Sequence, residues 1–397
     1  MLRATGHESK GDGPAVAAPL GADLDPTHGR RTEGPIVILL VDSLGWTAFR
    51  AATERRGFIE RHPGLRAWAE AARPITTVFP STTTAALTSL SVAAGPATHG
   101  IVGHRQYLPR WGLVADMLRM APMTAPGSDT LIGPGWTRRE LTDSPTVFEL
   151  GVRTAVISRD RFQGTGFTRL LYEGAEYRPY STASDLAEEL TQVLSRDDPP
   201  EAVFVYWDEL DTVHHVRGPH AHLAELELER LVGLISAAAG RLDPARARAT
   251  SLWVTGDHGQ VAAPESSNVA LDRHPELLAT LTLPPAGDRR AGFFVPRAGL
   301  REEFQRRLAP LLPTGTLFLE MERAIEEGLF GPPPYHPELR LRTGEVLVLP
   351  PKPAGMTYAA PGNPVPRRLF AGAHSGLERE ELWVPLIAGP LSELAPG

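Results

Sequence analysis

Four short, mostly apolar runs mark the first two thirds of the chain. They cover Ile36–Val41, Thr154–Ser158, Ala202–Tyr206 and Leu252–Thr255. Runs of this length without polar alternation are typical of strands that are buried on both faces, as in the middle of a parallel sheet. We therefore predict that these segments are strands of one central sheet.

Segments with helical patterns separate these runs. They lie at residues 46–56, 65–72, 184–195 and 222–242, and a further helix is expected from Thr83 to Val92. A short helix is expected after Asp143-Ser144-Pro145, whereas residues 99–140 look irregular. The alternation of strands and helices predicts an α/β fold with a mostly parallel central sheet flanked by helices.

The composition and the hydrophobic pattern of the chain change between about residue 265 and residue 365. Prolines cluster there, and strand-like pieces alternate with amphipathic helices before a final strand from Leu382 to Ala388. We predict an inserted α+β cap subdomain over residues 266–365 and a core made of 35–265 and 366–397. Residues 1–34 are polar and rich in Gly, Pro and Ala, so we expect a mobile N-terminal tail.

Acidic and histidine residues follow the predicted strands. Asp42 ends the first run, Asp257 and His258 follow the fourth, and the others occur after the third run or in a Gly-rich loop before the last strand. Because ligands bind outside the carboxyl ends of the strands in such sheets, we expect these side chains to converge. Carboxylates and neutral imidazoles are natural ligands of zinc or manganese. The candidate metal ligands are Asp42, Asp211, His215, Asp257, His258 and His374.

Asp211 and His215 are four residues apart, so either a helical turn or a tight loop could bring both side chains onto one ion.

A run of four hydroxyl residues, Ser81-Thr82-Thr83-Thr84, follows Pro80 at the predicted start of a helix. A hydroxyl at that place lies against unpaired N–H groups and the positive end of the helix dipole. Such a position suits an alkoxide that attacks a phosphate. The alternative is that the run only caps the helix.

Composition removes several classes of function. The formal net charge is −7 and the isoelectric point is about 6.0, so no basic excess indicates nucleic-acid binding. The chain has no cysteine, which excludes disulfides and thiolate chemistry. No stretch is long and apolar enough for a transmembrane helix, and the N-terminus lacks the apolar core of a signal peptide. We expect a cytoplasmic location, and the sequence leaves the oligomeric state open.

Six short motifs occur in a fixed order along the chain. They are VDSLG (41–45), FPSTTTAALTS (79–89), GPATHGIVGH (95–104), ELDTVHHVRGP (209–219), VTGDHGQ (254–260) and GAHSG (372–376). Together they resemble the type I phosphodiesterase/nucleotide pyrophosphatase family of the alkaline phosphatase superfamily. The resemblance implies an alkaline-phosphatase-like fold and a site with two divalent metal ions, Zn²⁺ or alternatively Mn²⁺.

The resemblance also implies how the ligands divide. One ion would be held by Asp211, His215 and His374, and the other by Asp42, Asp257, His258 and the nucleophile.

The position of the nucleophile departs from that of the best-known members. These carry a threonine directly before Phe-Pro, where this chain has Val78, and valine cannot attack. Some relatives instead carry Pro-Ser-x-Thr, and counting back from the Gly-Pro-x-x-His-Gly motif selects Thr83, with Thr82 as the alternative. The family places an asparagine that contacts a phosphate oxygen where this chain has His104, so His104 is the expected substrate-binding residue.

The function implied is that of a phosphodiesterase/nucleotide pyrophosphatase that cleaves phosphodiester or phosphoanhydride bonds through a covalent phosphothreonine. Its substrate would be a small, nucleotide-like phosphorylated molecule, and the sequence shows no platform for binding nucleic acid. One alternative is a phosphomonoesterase, a phosphonate hydrolase or a phosphate-group mutase on the same scaffold. The other is a non-catalytic metal-dependent module that binds phosphate groups.

Overall fold

The structure is a computed structural model that describes residues 1–5, 21, 23–28, 30–55, 57–62, 65–362 and 370–395. Its strands are β1 Ile36–Val41, β2 Arg73–Thr76, β3 Arg105–Leu108, β4 Leu113–Asp116, β5 Ala121–Pro122, β6 Thr154–Arg159, β7 Glu176–Tyr180, β8 Ala202–Trp207, β9 Ser251–Thr255, β10 Val261–Ala262, β11 Asn268–Ala270, β12 Ala286–Asp288, β13 Ala291–Phe294, β14 Leu317–Glu320, β15 Val346–Leu349, β16 Gly355–Thr357, β17 Gly372–Ala373 and β18 Trp383–Pro390.

The α-helices are α1 Leu2–Thr5, α2 Trp46–Thr53, α3 Phe58–Arg61, α4 Leu65–Ala71, α5 Thr83–Val92, α6 Pro96–His99, α7 Gly166–Tyr172, α8 Ala183–Leu194, α9 Glu209–Arg217, α10 Ala221–Gly240, α11 Pro244–Ala249, α12 Pro275–Leu278, α13 Arg301–Leu308, α14 Met321–Glu326, α15 Leu339–Thr343 and α16 Arg379–Leu382. Among the described residues, no helix combines the length and the apolar character needed to cross a bilayer.

The central sheet has the strand order β2-β18-β9-β1-β8-β6-β7. The five strands β9, β1, β8, β6 and β7 are parallel to one another, and β18 is antiparallel to both β9 and β2. All six residues of β1 are buried, as a strand with apolar residues on both faces requires. The predicted mostly parallel sheet flanked by helices is therefore confirmed.

Two hydrophobic clusters cover the two faces of this sheet. Val37, Leu39 and Val41 pack with side chains of α8 and α10, whereas Leu40 packs with side chains of α5 and α7. Alternate residues of one strand thus point into different clusters, which follows from the period of two in a β-strand.

A second sheet has the strand order β14-β15-β13-β12-β3-β4-β5, and every pairing in it is antiparallel. It combines residues 105–122 with residues 286–349. The prediction that 99–140 is irregular was therefore wrong for β3, β4 and β5. These strands are only two to four residues long, and the longest apolar run among them is the three residues Leu113–Ala115, so the sequence pattern does not mark them as strands.

The short helix expected after Asp143-Ser144-Pro145 does not form, and residues 147–150 make a turn instead. The Thr146 hydroxyl accepts from the Glu149 N–H at 3.1 Å, as in a helix cap. However, the Val147 N–H donates to the Ser91 carbonyl of the neighbouring helix at 2.7 Å. This contact holds the segment against α5, and the cap is not followed by a helix.

The division into a tail, a core and a cap stays a prediction. Of the expected tail, residues 6–20, 22 and 29 lie outside the described residues, as do residues 363–369 near the expected end of the cap. Ala4 is buried and packs with Ile36 and Ile38 of β1. The second sheet includes β3 to β5, which precede residue 266.

Candidate active site

The carboxyl ends of β9, β1 and β8 lie side by side and form one edge of the central sheet. Asp42 directly follows β1, Asp257 follows β9 after one glycine, and α9 begins just after β8. The Asp42 N–H donates to the carbonyl of Trp207, the last residue of β8, at 2.8 Å. The topology therefore brings together acids that are distant in sequence, as the strand-end pattern predicts.

Asp42 and Asp257 are both buried and partly without hydrogen-bond partners. Asp257 Oδ1 accepts from the N–H groups of Ser43 at 3.0 Å and His258 at 2.9 Å. Within the described part of the chain, Asp42 Oδ1 and Asp257 Oδ2 have no hydrogen-bond partner although both are buried. A buried carboxylate oxygen without a partner is costly, so these two atoms fit a bound cation.

The electrostatics of the acids point the same way. Burial, the charge of Asp257 and that of Asp211 raise the pKa of Asp42 well above its usual value. Burial raises the pKa of Asp257 to about 6 and, against the opposing effect of His215, that of Asp211 to about 6. The three carboxyls repel one another when they are ionised. A bound divalent cation would offset that repulsion, so the crowding fits a cation site.

Three histidines turn the same nitrogen toward these acids. Nδ1 of His258, His374 and His215 lies 3.1, 2.8 and 3.2 Å from the carbonyls of Gly259, Ser81 and Gly372, respectively. Since a carbonyl can only accept, each Nδ1 carries the hydrogen and each Nε2 keeps a lone pair. Backbone partners that fix the tautomer in this way are typical of histidines that bind metals.

The rings of His258 and His374 stack with a centroid separation of 3.7 Å and an interplanar angle of 10°. Burial lowers the pKa of His258 to about 3, and burial together with the neighbouring His258 and His215 lowers the pKa of His374 well below its usual value. Both imidazoles are therefore neutral at physiological pH, which is the form that coordinates a metal.

Asp211 and His215 are presented by a helical turn rather than a tight loop. Both lie on α9, and His215 Nε2 is 3.3 Å from Asp211 Oδ1. The Gln260 amide donates to the same Asp211 oxygen at 2.6 Å. The spacing of four residues thus places the two side chains on one face of the helix.

The potential ligand atoms form two groups in which all atoms lie within 4.8 Å of one another. One group contains Asp42, Asp257 and His258, and the other contains Asp211, His258 and His374. His258 belongs to both, whereas His215 lies beside the second group through its contact with Asp211. The structure thus brings all six predicted ligands together, and their assignment to individual ions stays a prediction.

The hydroxyl run lies at the start of α5, against this cluster. Thr82 is the N-cap of the helix, and its buried Oγ1 accepts from the Ala85 N–H at 3.3 Å. Thr83 Oγ1 lies 3.1 Å from His258 Nε2, so the hydroxyl donates to that lone pair. The two threonines therefore have different roles in the local structure, since one is engaged in capping and the other faces the cluster.

Ser81 ties the hydroxyl run to the loop that carries His374. Its Oγ accepts from the Ser375 N–H at 3.1 Å and donates to the Gly376 carbonyl at 3.1 Å. Its own carbonyl accepts from His374 Nδ1. The position of Thr83 is consequently linked to the position of His374.

The turn between β12 and β13 holds the same loop from the second sheet. Arg289 donates to the carbonyls of Gly372 at 3.0 Å and Phe370 at 3.2 Å. Arg290 is buried and donates to both carboxylate oxygens of buried Glu381, at 2.7 and 3.1 Å. The Glu381 carboxylate also accepts from the Gly376 N–H at 2.9 Å. We refer to Arg289 and Arg290 as the arginine clamp.

Sequence reasoning did not identify the residues that support the ligands. The Tyr206 hydroxyl donates to Asp42 Oδ2, Gln260 orients Asp211, and the arginine clamp fixes the backbone around His374. Gln260 directly follows the Asp-His-Gly motif, which is a usable signal. The clamp has none, because two adjacent arginines in a turn resemble ordinary surface residues.

His104 stands apart from the cluster of ligands. It lines a cavity of about 210 Å³ whose wall also includes His215 and His374. Its position is thus next to the ligand cluster and at the boundary with the second sheet.

Comparisons with known proteins place the chain among phosphohydrolases. The sequence profile described as type I phosphodiesterase / nucleotide pyrophosphatase matches residues 36–300. No protein with a curated description matches the sequence.

Similar solved structures include murine ectonucleotide pyrophosphatase / phosphodiesterase 5, an inactive variant with threonine replaced by alanine, in complex with AMP. It is 15% identical with a TM-score of 0.66 over 90% of this chain and 88% of that chain. The human protein of the same name is 13% identical, with a TM-score of 0.64 over 89% and 87%. Phosphonoacetate hydrolase from Sinorhizobium meliloti 1021, in complex with phosphonoformate, is 18% identical, with a TM-score of 0.63 over 90% of each chain. At these identities the likeness establishes a shared fold, and the expected alkaline-phosphatase-like architecture is confirmed.

Proposed function

The chain belongs to the type I phosphodiesterase / nucleotide pyrophosphatase family, and on that premise we propose that it cleaves phosphodiester or phosphoanhydride bonds through a covalent phosphothreonine on Thr83. Membership makes the chain a phosphoric ester hydrolase. The observation that carries the finer proposal is the position of Thr83 Oγ1, at the N-terminus of α5 and 3.1 Å from His258 Nε2.

The donor set fits divalent cations, because it combines carboxylate oxygens without partners and imidazole lone pairs in a buried cluster. We propose two ions, with zinc as the expected metal and manganese as the alternative. Asp42, Asp257, His258 and Thr83 would hold one, and Asp211, His215 and His374 the other. Bound there, the ions would supply positive charge that lowers the pKa of the attacking hydroxyl and offsets the charge on the leaving oxygen.

The residues of the chain perform two displacements at phosphorus. In the first, Thr83 Oγ loses its proton to bulk water and forms a bond to phosphorus, while the bond to the leaving group breaks and that group takes up a proton. In the second, a water oxygen forms a bond to phosphorus, the bond to Thr83 Oγ breaks, and a proton from the water restores the hydroxyl. The products are an alcohol or phosphate leaving group and a phosphate monoester.

The surrounding contacts keep Thr83 in place for the attack. Thr82 caps α5, so the first turn of the helix and the Thr83 side chain have a fixed orientation. Two residues before Thr83, the Ser81 carbonyl accepts from His374 Nδ1, which holds this part of the loop against His374. The unpaired N–H groups of the first helical turn favour the negative charge that develops near Thr83.

The test compares Thr83→Ala with Thr82→Ala, on bis-p-nitrophenyl phosphate and p-nitrophenyl phosphate. We expect Thr83→Ala to lower kcat by at least about 10³-fold and Thr82→Ala to cost only about 1 kcal/mol of stability as a lost cap. Acid quenching of the wild type during turnover of bis-p-nitrophenyl phosphate, followed by mass spectrometry, is expected to find a p-nitrophenyl phosphoryl group on the peptide that contains Thr83. Metal analysis of the purified protein accompanies both assays.

Full activity of Thr83→Ala, or a protein that holds no divalent metal, would contradict the proposed mechanism. If Thr82→Ala loses activity and Thr83→Ala does not, the nucleophile is Thr82 rather than Thr83. A strong preference for the monoester would replace the diesterase by the phosphomonoesterase alternative, and metal binding without turnover of either ester would favour the non-catalytic module.

A further inference from the structure

The cavity beside the ligand cluster is where the part of a substrate beyond the reacting phosphorus would lie. It begins at His215 and His374 and continues under the second sheet, past Asp288, Tyr358 and Met356. A substrate whose phosphorus is within reach of Thr83 can extend only into space that adjoins the cluster. The charges on the wall of this cavity therefore bear on which substrates are accepted.

His104 is a member of this wall, with a carboxylate behind it. Its Nε2 lies 3.4 Å from Asp116 Oδ2, and the Asp116 side chain is 11% exposed whereas that of His104 is 33% exposed. Arg119 donates to the same Asp116 oxygen at 2.9 Å, and its backbone N–H donates to Oδ1 at 3.1 Å. Asp116 is therefore fixed in place as the partner of His104.

This pairing favours the charged form of His104. Burial alone would lower the pKa of His104, but Asp116, through its charge and its hydrogen bond, and the nearby Asp288 outweigh burial and raise the pKa above its usual value. The charge of Arg105 acts in the opposite direction. For Asp116, burial alone would raise the pKa, but His104 and Arg119 hold it below its usual range. Both shifts are those of an imidazolium–carboxylate pair.

The second N–H of this imidazolium is available to a ligand. A charged imidazole donates from both nitrogens, and only Nε2 faces Asp116. Among the described residues, Nδ1 of His104 has no hydrogen-bond partner, and His104 borders the cavity. The wall thus presents a cationic donor whose counter-charge lies behind it, on the side of Asp116.

The other charged groups of the cavity are largely engaged. Arg289 donates to the carbonyls of Gly372 and Phe370, and Arg105 donates to the Tyr358 carbonyl at 2.9 Å. Asp288 Oδ1 accepts from the Arg289 N–H at 2.7 Å. Of the charged side chains that line the cavity, Arg105 and Arg289 are cationic and Asp288 is anionic, so the lining carries an excess of positive charge even before His104 is counted.

We propose that His104, backed by Asp116, gives this site a preference for substrates that carry a second anionic group next to the reacting phosphorus, as the second phosphate of a phosphoanhydride does. His104 is then a specificity-determining residue that donates from Nδ1 to that second group. This inference rests on the proposed phosphohydrolase function and specifies which of its two bond classes the site prefers.

The test uses two substrates that each contain two adenosines. Diadenosine diphosphate carries two negative charges on a phosphoanhydride, and the dinucleotide adenylyl-adenosine carries one on a diester. We expect His104→Asn, which keeps a donor but removes the charge, to lower kcat/KM for diadenosine diphosphate about tenfold to a hundredfold, the loss typical of a hydrogen bond to a charged group. The value for adenylyl-adenosine should fall by a smaller factor, because asparagine still donates a hydrogen bond but carries no charge, so the ratio of the two values should drop.

A binding measurement separates this role from an effect on turnover. In the Thr83→Ala background, calorimetry gives the affinities for ADP and AMP, which differ by one phosphate. His104→Asn should lower the ratio of the ADP to the AMP affinity about tenfold. His222→Asn is the matched control, because His222 lies on α10 and its side chain is 63% exposed.

Asp116→Asn supplies a second, independent variant. Without the carboxylate, the pKa of His104 falls and the imidazole is neutral at about pH 7.5, so the preference for diadenosine diphosphate should fall as well. Lowering the pH to about 5.5 should protonate His104 again and restore part of the preference in this variant. A purely structural role of the pair would not give such a pH-dependent rescue.

The outcomes distinguish the inference from the function on which it rests. If Thr83→Ala abolishes turnover of both substrates while His104→Asn leaves their ratio unchanged, the inference is overturned and the function stands. If Thr83→Ala retains full turnover, the proposed function fails. If His104→Asn lowers both kcat/KM values equally and the ADP to AMP affinity ratio is unchanged, His104 acts without charge discrimination, and the inference is again overturned.

Discussion

The central sheet positions its residues through strand order, whereas the second sheet acts through individual side chains. In the central sheet, adjacent parallel strands end beside one another and thereby bring Asp42 and Asp257 together with α9. In the second sheet, the turn between β12 and β13 reaches the site through the arginine clamp, which binds the loop that carries His374. Topology alone places the first set, but specific hydrogen bonds place the second.

The two sheets therefore differ in role: the central sheet supplies most of the candidate metal ligands, and the second sheet supplies residues that hold the backbone around them. Each carboxylate at the end of a central strand has one oxygen without a hydrogen-bond partner, and these acids are expected to take part in the reaction. The second sheet instead contributes hydrogen-bonded groups that hold the backbone in place. A change in the first region should therefore affect activity more than stability. A change in the arginine clamp should affect stability or metal affinity first.

The largest effect is expected at the end of β9. Asp257→Asn keeps the size of the side chain but removes a charge from a buried group of potential ligands. We expect a loss of activity on the order of 10⁴-fold, comparable to removal of one member of a catalytic unit, together with loss of bound metal. Steady-state kinetics and elemental analysis measure both. Activity within about tenfold of the wild type would show that Asp257 is not part of the site.

In the arginine clamp, Arg290→Met tests the stability side of the comparison. The substitution leaves Glu381 buried without its ionic partner, so we expect the free energy of unfolding to fall by about 3 to 5 kcal/mol, as measured by urea denaturation. Arg323→Ala is the control, because the Arg323–Glu327 pair has side-chain exposures of 76% and 62% and should contribute less than about 1 kcal/mol. Equal losses in the two variants would argue against a stabilising clamp.

A third prediction concerns the pH dependence of the chelator-treated protein. Burial raises the pKa of Asp257 to about 6, so the folded state holds a proton that the unfolded state releases at lower pH. The stabilisation from this group is present below the unfolded pKa and is lost as the pH rises through the folded pKa. From about pH 4 to about pH 7.5, the wild type should lose about 2 kcal/mol more stability than Asp257→Asn.

Urea unfolding at a series of pH values measures this difference. Parallel curves for the two proteins would show that the Asp257 carboxyl titrates normally in the fold. Addition of zinc should stabilise the wild type more at the upper end of this range, because a cation binds to ionised carboxylates.

The smallest effect is expected for Arg289→Gln. Arg289 and His215 Nδ1 both donate to the Gly372 carbonyl, so the substitution should loosen the orientation of His215 without removing a ligand. We expect zinc affinity to fall about 10-fold to 100-fold, as measured by competition with a chelator. Arg105→Gln is a matched control, because Arg105 donates to the Tyr358 carbonyl instead. A similar loss in both variants would contradict a specific role of Arg289.

The sequence was most informative where one pattern sufficed to define an element. The apolar runs identified β1, β6, β8 and β9 to within one residue at each end, and α5 was predicted from Thr83 to Val92 as observed. Strands of the second sheet before residue 266 were missed, because they are short and pair antiparallel with residues far along the chain. Local periodicity carries no information about such partners.

The sequence predicted which candidate ligands converge in the fold, but it did not predict the residues that support them. Strand order explains why Asp42 and Asp257 converge, and the spacing of four explains why His215 joins Asp211. The choice between Thr82 and Thr83 depends on the direction of each side chain at the start of α5. Counting residues in the sequence gives a position but not a side-chain direction. The contacts of Tyr206 and Arg290 depend on long-range packing, so no local pattern identifies them.

The position of β18 has a consequence for the order in which the protein matures. This strand lies between β9 and β2, so β2 has no neighbour in the sheet until the ribosome has delivered residues 383–390. His374 and Glu381 emerge only shortly before it, and the Glu381 carbonyl accepts from the Gly259 N–H next to His258. A nascent chain that has completed β9 therefore contains Thr83 and most of the acids but cannot yet close the site. We therefore expect activity to begin only after translation has passed β18 and the last strand has docked.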